Sequence, residues 1–193
     1  YNEPMVQPAE PGDVDIDGIV NGIHRISKND EPGNKAQILA SGVAVPWAYE
    51  AQQLLQQDWG ISADIWSVTS WTELRREALA KDEQKFLNPG QDVDAAYVTS
   101  KLSGSEGPFI GVSDYMHAVP DLIRNWIPGD YATLGADGFG FSDTRAAARR
   151  FFKIDGPSIV VRVLEQLAAQ GKVDGSLAQQ AIGTESGENP RCP

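Results

Sequence analysis

Asp64-Ile65-Trp66-Ser67-Val68-Thr69-Ser70-Trp71-Thr72-Glu73-Leu74 is the stretch whose reading decides the fold. Ile61 to Thr69 has the β-branched and aromatic content of a strand. Ser70 stands where the N-cap of a following helix belongs, ahead of a polar run through Glu73, Leu74 and Glu77 toward Phe86. A strand turning directly into a helix is the repeating unit of a parallel α/β sheet.

The same unit recurs on either side. Upstream, Lys35 to Ser41 reads as a buried strand closed by Gly42, and Trp47, Ala51, Leu54, Leu55 and Trp59 then recur at helical spacing. Downstream, Pro89-Gly90 breaks the chain, Ala95 to Leu102 reads as a short helix, and Ser103 to Gly107 as a surface turn. Phe109 to Val112 is a third strand of this kind. Tyr115, Val119, Leu122, Ile123 and Trp126 form an apolar helical stripe after it, capped by Ser113 or Asp114, with Pro120 in the first turns or at a bend. Tyr131 to Gly135 is a fourth strand, Ser142 and Asp143 open a helix through Phe151 and Phe152, and Pro157 suits the first turn of a helix over Ser158 to Gln170. Ahead of these units, Val20 to Ser27 reads as an edge strand, and Asn29 to Asn34 as a turn. Residues 1–18, with Pro4, Pro8 and Pro11, have the composition of a linker from an upstream domain. Residues 19–186 form the folded unit and 187–193 a polar tail.

At 193 residues the chain is long enough for one full core. Its formal charge of -11 opposes nucleic acid and anionic membrane as partners, because both kinds of binding rest on clustered Lys and Arg. No apolar run reaches the roughly 18 to 20 residues of a membrane span. A single cysteine, Cys192, allows no internal disulfide and no cysteine metal cage, so a cytoplasmic setting is expected.

Strand ends in such sheets gather ligands, and Thr69-Ser70, Ser113-Asp114 and Asp137-Gly138 emerge at that edge. Helix capping accounts for Ser70, Ser113, Asp114, Ser142 and Asp143 by residue type alone. Asp137-Gly138-Phe139-Gly140 implies a tight path that another surface packs against, with plain turn geometry as the competing reading. His24 and His117 read as surface residues. His117 lies nearer the edge, but the sequence supplies it with no orienting partner. There is no Gly-x-Ser-x-Gly elbow, no Gly-Lys-Ser/Thr phosphate loop and no Gly-x-Gly-x-x-Gly, so no complete active site is encoded. The five tryptophans follow helix faces and strands, as core residues do.

Four segments carry a resemblance that runs almost the whole length of the chain: Ile61 to Leu74, Ser113-Asp114-Tyr115-Met116, Leu134 to Asp143, and Asn189-Pro190-Arg191. They resemble the C-terminal domain of the homodimeric bacterial type of acetyl-transferring, thiamine-diphosphate-dependent pyruvate dehydrogenase component, a transketolase-like family. The resemblance implies a three-layer αβα domain with a mostly parallel five-stranded sheet and one antiparallel edge strand. It implies a parent enzyme that oxidatively decarboxylates pyruvate and passes the acetyl group to the lipoyl group of a dihydrolipoyl acetyltransferase core. In that family an N-terminal domain holds the diphosphate and Mg through Gly-Asp-Gly followed by an Asn, and a middle domain holds the pyrimidine. No Gly-Asp-Gly occurs here. Catalytic, cofactor and metal residues are therefore expected in the missing domains, and none in this chain. The implied partners are those N-terminal and middle domains, a homodimer mate and the acetyltransferase. Ser70, Ser113, Asp114, His117, Asp137, Phe139, Ser142 and Asp143 are the candidate domain interface or channel edge. Members of the family often carry a basic residue where Phe141 stands, which speaks against a role for position 141 on an anionic substrate. A partner-docking module without catalysis, or the same domain of another transketolase-like enzyme, are the alternatives.

Overall fold

Strand β2 (Asn34–Ala40) lies at the centre of the molecule, paired in parallel with β3 (Ile61–Val68) on one side and with β4 (Phe109–Val112) on the other. This computed structural model describes residues 14–140 and 142–185. Strand β5 (Tyr131–Leu134) continues the parallel sheet beyond β4, and β1 (Ile23–Ser27) closes the far side antiparallel to β3, giving the order β1-β3-β2-β4-β5. The expected five-stranded sheet with one antiparallel edge is what forms.

Side-chain alternation along β2 sends Ala36, Ile38 and Ala40 to one face and Leu39 to the other, and all four are fully buried. On the first face lie α2 (Val45–Trp59), α6 (Gly156–Ala169) and α7 (Gly175–Glu185). Ala48, Ala51 and Leu55 of α2 and Ile159, Val160 and Val163 of α6 complete that core, the alanines letting α2 approach the sheet closely. The second face carries α3 (Trp71–Leu87), α4 (Tyr97–Leu102) and a 3-10 helix (Pro120–Trp126). Here Trp66, Trp71, Leu74, Leu102, Phe109 and Ile123 pack together. Three of the five tryptophans, Trp47, Trp66 and Trp71, are buried. Ser70 caps α3 as expected, its hydroxyl accepting the Glu73 N–H at 3.1 Å.

Four expectations are corrected. Val20 is not in a strand: Asp15 caps a short helix, α1 (Ile16–Asn21), Gly22 ends it at φ 106°, and β1 starts only at Ile23. Residues at the end of the presumed linker thus belong to α1. No α-helix begins near Tyr115. Pro120 has no N–H to offer the Met116 carbonyl, which accepts the Val119 N–H at 2.9 Å instead, and a 3-10 helix follows from Pro120. Neither Ser142 nor Asp143 caps α5 (Arg145–Phe152), because the Thr144 hydroxyl accepts the Ala147 N–H, while Asp143 accepts from Thr144 N. His24 is not a surface residue: it is 8% exposed, and its Nδ1 has no hydrogen-bond partner among the described residues. Helix α7 went unread, although Asp174 accepts the Ser176 N–H at its start and Ala181 is fully buried. Most of the linker, the 187–193 tail, Cys192 and Phe141 lie outside the described residues.

Two stability predictions follow from the packing. Gly107 has φ +87°, and a Cβ there would lie 1.8 Å from the Lys35 carbonyl, whereas at Gly104, φ +79°, the space is open. Gly104→Ala should therefore cost about 1–2 kcal/mol from backbone strain alone, and Gly107→Ala more than about 3 kcal/mol, read by denaturant unfolding of both variants. Burial lowers the pKa of His24, with nearby Asp15 opposing it. A histidine held neutral in the fold makes unfolding take up a proton, so stability should fall as pH drops below about 6.5. His24→Leu should flatten that slope.

Candidate functional site

The carboxyl ends of β2, β3, β4 and β5 lie on one edge, and the eight candidate residues divide there into inward and outward sets. Because β2 leads through α2 to β3 on one side, while the chain returns through α3 and α4 to β4 on the other, the sheet changes winding direction between β2 and β4. Ser41, at the end of β2, donates across this point to Ser113 at 3.1 Å, and both are buried. The Ser113 hydroxyl also accepts the Tyr115 N–H at 3.1 Å, and Ser113 N donates to the Leu134 carbonyl. Ser41 was missed in the sequence, since only its position at the crossing gives it meaning. Ser70 is similarly occupied, capping α3 while its N–H donates to the Gly22 carbonyl. Neither serine is aimed outward as a nucleophile, and neither has a histidine among its hydrogen-bond partners in the described residues.

Outward of this layer the β4 and β5 loops are clasped together. The His117 N–H donates to one carboxylate oxygen of Asp137 at 2.9 Å, and His117 Nδ1 lies 2.7 Å from the other. Ala136 N donates to the Tyr115 carbonyl at 2.8 Å. Gly135 makes the approach possible: a Cβ there would sit 2.5 Å from His117 N. The orienting partner that the sequence did not supply for His117 is thus Asp137, twenty residues on and adjacent only because β4 and β5 pair. Asp114 and Asp137 are exposed beside it, and Ser142 and Asp143 are exposed farther along the β5–α5 connection.

The chemistry of this edge does not fit a thiamine diphosphate or its metal. Its charged groups are chiefly carboxylates, which repel a diphosphate, and the one imidazole is engaged by Asp137. Among the described residues no three His, Cys, Asp or Glu side chains form a group able to hold a metal ion. An open depression of about 670 Å³ lies away from this edge, over the amino-terminal half of the sheet. Of its cations, Arg25, Lys28 and Lys101 are paired with Asp64, Asp30 and Asp15, and Lys35 donates to the carbonyls of Asn29 and Glu31. It presents no unpaired charge cluster for an anion. No helix of the described residues is long and apolar enough to cross a membrane.

The His117 bonds hold the Asp137 carboxyl below the usual aspartate range, the backbone N–H first and the imidazole charge after it. A depressed carboxyl supports the fold above its ordinary pKa and loses that support as pH falls through its lowered value. Carboxyl-carbon NMR should show Asp137 titrating below an ordinary aspartate. Asp137→Asn should remove that acid-limb transition and speed amide exchange at His117.

Comparison with known proteins agrees with this architecture. The sequence profile of the transketolase-like TK C-terminal domain matches residues 22–155. The pyruvate dehydrogenase E1 component of Corynebacterium glutamicum is 51% identical over 181 residues, 94% of this chain and 20% of that protein. The protein of the same name from Mycobacterium tuberculosis is 53% identical over 178 residues, 92% of this chain and 19% of its own length. The chain therefore spans about a fifth of the length of these curated relatives. Among solved structures, a split-gene transketolase described as an inactive β4 tetramer superposes with a TM-score of 0.56 at 15% identity, over 84% of this chain and 47% of that one. Transketolase from Leishmania mexicana gives 0.52 at 20% identity, over 83% of this chain and 20% of its own. These likenesses speak of fold alone. With its sheet order, its two-sided helical cover and the profile match over more than half its length, the chain belongs to the transketolase-like TK C-terminal domain family.

Proposed function

We propose that this chain is the C-terminal domain of a pyruvate dehydrogenase decarboxylating component. The observation that carries this reading is 51% identity to such a component across 94% of the chain. The parent enzyme would oxidatively decarboxylate pyruvate on thiamine diphosphate with Mg and pass the acetyl group to the lipoyl group of a dihydrolipoyl acetyltransferase, acting as a homodimer in the cytoplasm. Its reacting groups would sit in the preceding domains, and the domain described above would serve them as a scaffold. Residues 1–18 would link it to those domains, with α1 already part of the fold, residues 19–186 would form the body, and 187–193 a tail.

Ser70, Ser113, Asp114, His117, Asp137, Phe139, Ser142 and Asp143 would then mark the edge turned toward the rest of the enzyme. Two of them, Ser70 and Ser113, would support that edge from inside, through the α3 cap and the hydroxyl pair with Ser41. The other six would meet the neighbouring domain or line an approach to the active site.

Two measurements test the proposal. The full-length parent, supplied with thiamine diphosphate and Mg, should reduce an artificial electron acceptor only when given pyruvate. Ketose-phosphate transfer in place of that activity would move the chain to another transketolase-like enzyme. Titration of the 193-residue chain with thiamine diphosphate should give no Mg-dependent binding heat, and tight binding would contradict the assignment of cofactor chemistry to the missing domains.

A further inference from the structure

Phe139 is 97% exposed, the most exposed large apolar side chain among the described residues, and Tyr115 and Met116 nearby are 62% and 56% exposed. Their two loops are fastened at the base by the His117–Asp137 clasp and the Ala136–Tyr115 backbone bond. Above that base the Phe139 backbone is bracketed by Gly138, at φ +93°, and Gly140, and a Cβ at either glycine would meet open space. Phe139 is thus an aromatic knob on a braced footing, with none of the described residues folded over it. Burying such a side chain removes apolar surface from water, which is favourable, and aromatic anchors in desolvated pockets dominate interface energetics.

We propose that Phe139, together with Tyr115 and Met116 on the loop clasped to its own, is the anchor by which this domain docks against the preceding part of its own polypeptide. The inference rests on the reading of the chain as the C-terminal fifth of a longer enzyme. His117 and Asp137 act as positioning residues that hold the anchor's footing.

The occupant follows from tethering. Helix α1 starts after its cap Asp15, which pairs with Lys101 beside the depression, and delivers the chain to the same edge, where the Gly22 carbonyl at its end accepts the N–H groups of Thr69 and Ser70. Six helical residues span about 9 Å. From β1 to β5 the sheet is four strand spacings wide, about 19 Å, whereas a domain of 200 residues has a radius of gyration of about 16 Å. A domain joined at the start of α1 therefore reaches across the whole edge. Its tether supplies an effective concentration on the order of millimolar, which favours it over a second copy or a separate protein. Asp114, Asp137 and Asp143 are exposed on the same two connections, so the facing surface should offer an apolar pocket accompanied by basic groups.

The test uses the full-length parent with photoreactive p-benzoylphenylalanine in place of Phe139, prepared as a mixture of light and heavy isotope copies. Irradiation should give adducts within single polypeptides, to residues upstream of Tyr1. Hydrogen exchange supplies a second measurement without the unnatural residue: amides of 138–140 should exchange at least tenfold more slowly in the wild-type parent than in its Phe139→Ala variant. Mixed-isotope adducts between two copies, adducts to added acetyltransferase, or no adduct together with equal exchange would each overturn the proposal. The pyruvate assay is read separately, so an active parent with an inter-chain adduct defeats the anchor alone. A parent without pyruvate activity defeats the enzymatic reading and leaves the adduct map to decide the anchor.

Discussion

Strand β2 is paired on both edges and buried on both faces, and the rest of the molecule is arranged to meet that condition. A strand with Ala36, Ile38, Leu39 and Ala40 at 0% exposure cannot lie at a boundary, so β3 and β4 must flank it and helices must cover it on both sides. Parallel neighbours need crossover connections, and placing these on opposite faces creates the point between β2 and β4 where the winding reverses. The loops of the carboxyl edge inherit their positions from this one strand. The Ser41–Ser113 hydroxyl bond lies directly at its end, joining the two strands where their backbone ladder stops.

What could be read from the chain follows from how local the determining forces are. Strands β2, β3 and β4 and helices α2, α3 and α6 were legible because their apolar spacing and their starts, such as Ser70, agree with their burial. Helix α1 carried the right punctuation, Asp15 before it and Gly22 after it, but its few residues show too little periodicity to compete with an alternating pattern. The stripe from Tyr115 to Trp126 failed for a different reason. Its first member, Tyr115, is exposed, and polar groups of that segment bond to the β5 loop rather than to a helix of their own. Tertiary hydrogen bonds between loops twenty residues apart leave no periodic trace. The same holds for His24, whose neighbours Asp15 and Lys101 come from different elements of the fold.

The candidate edge illustrates how residue type underdetermines role. Ser70 and Ser113 share a place with Asp137 and Phe139 at strand ends, yet the half-buried Ser70 and the buried Ser113 complete hydrogen bonds of the fold while Phe139 turns out into solvent. A serine next to a strand end has two uses, capping and chemistry, and the donors around it choose between them. For Ser70 and Ser113 the backbone N–H groups of Glu73 and Tyr115 make that choice.

A concave and an exposed feature of the domain differ in how far its own interactions complete them. In the depression over the amino-terminal half of the sheet, Trp66 Nε1 donates to Gln37 at 2.8 Å, Gln37 donates to the Glu106 carbonyl at 3.0 Å, and Arg25 bridges to Asp64 at 3.1 Å. That surface is internally satisfied, and an open volume lined by paired groups has little to offer a charged ligand. The Phe139 loop has the opposite character. Its footing is bonded on both sides, while the ring itself gains nothing from the fold that presents it. A glycine on each side also raises the entropy lost in ordering the loop. The docking proposed for Phe139 would supply the burial that the domain itself does not give its ring.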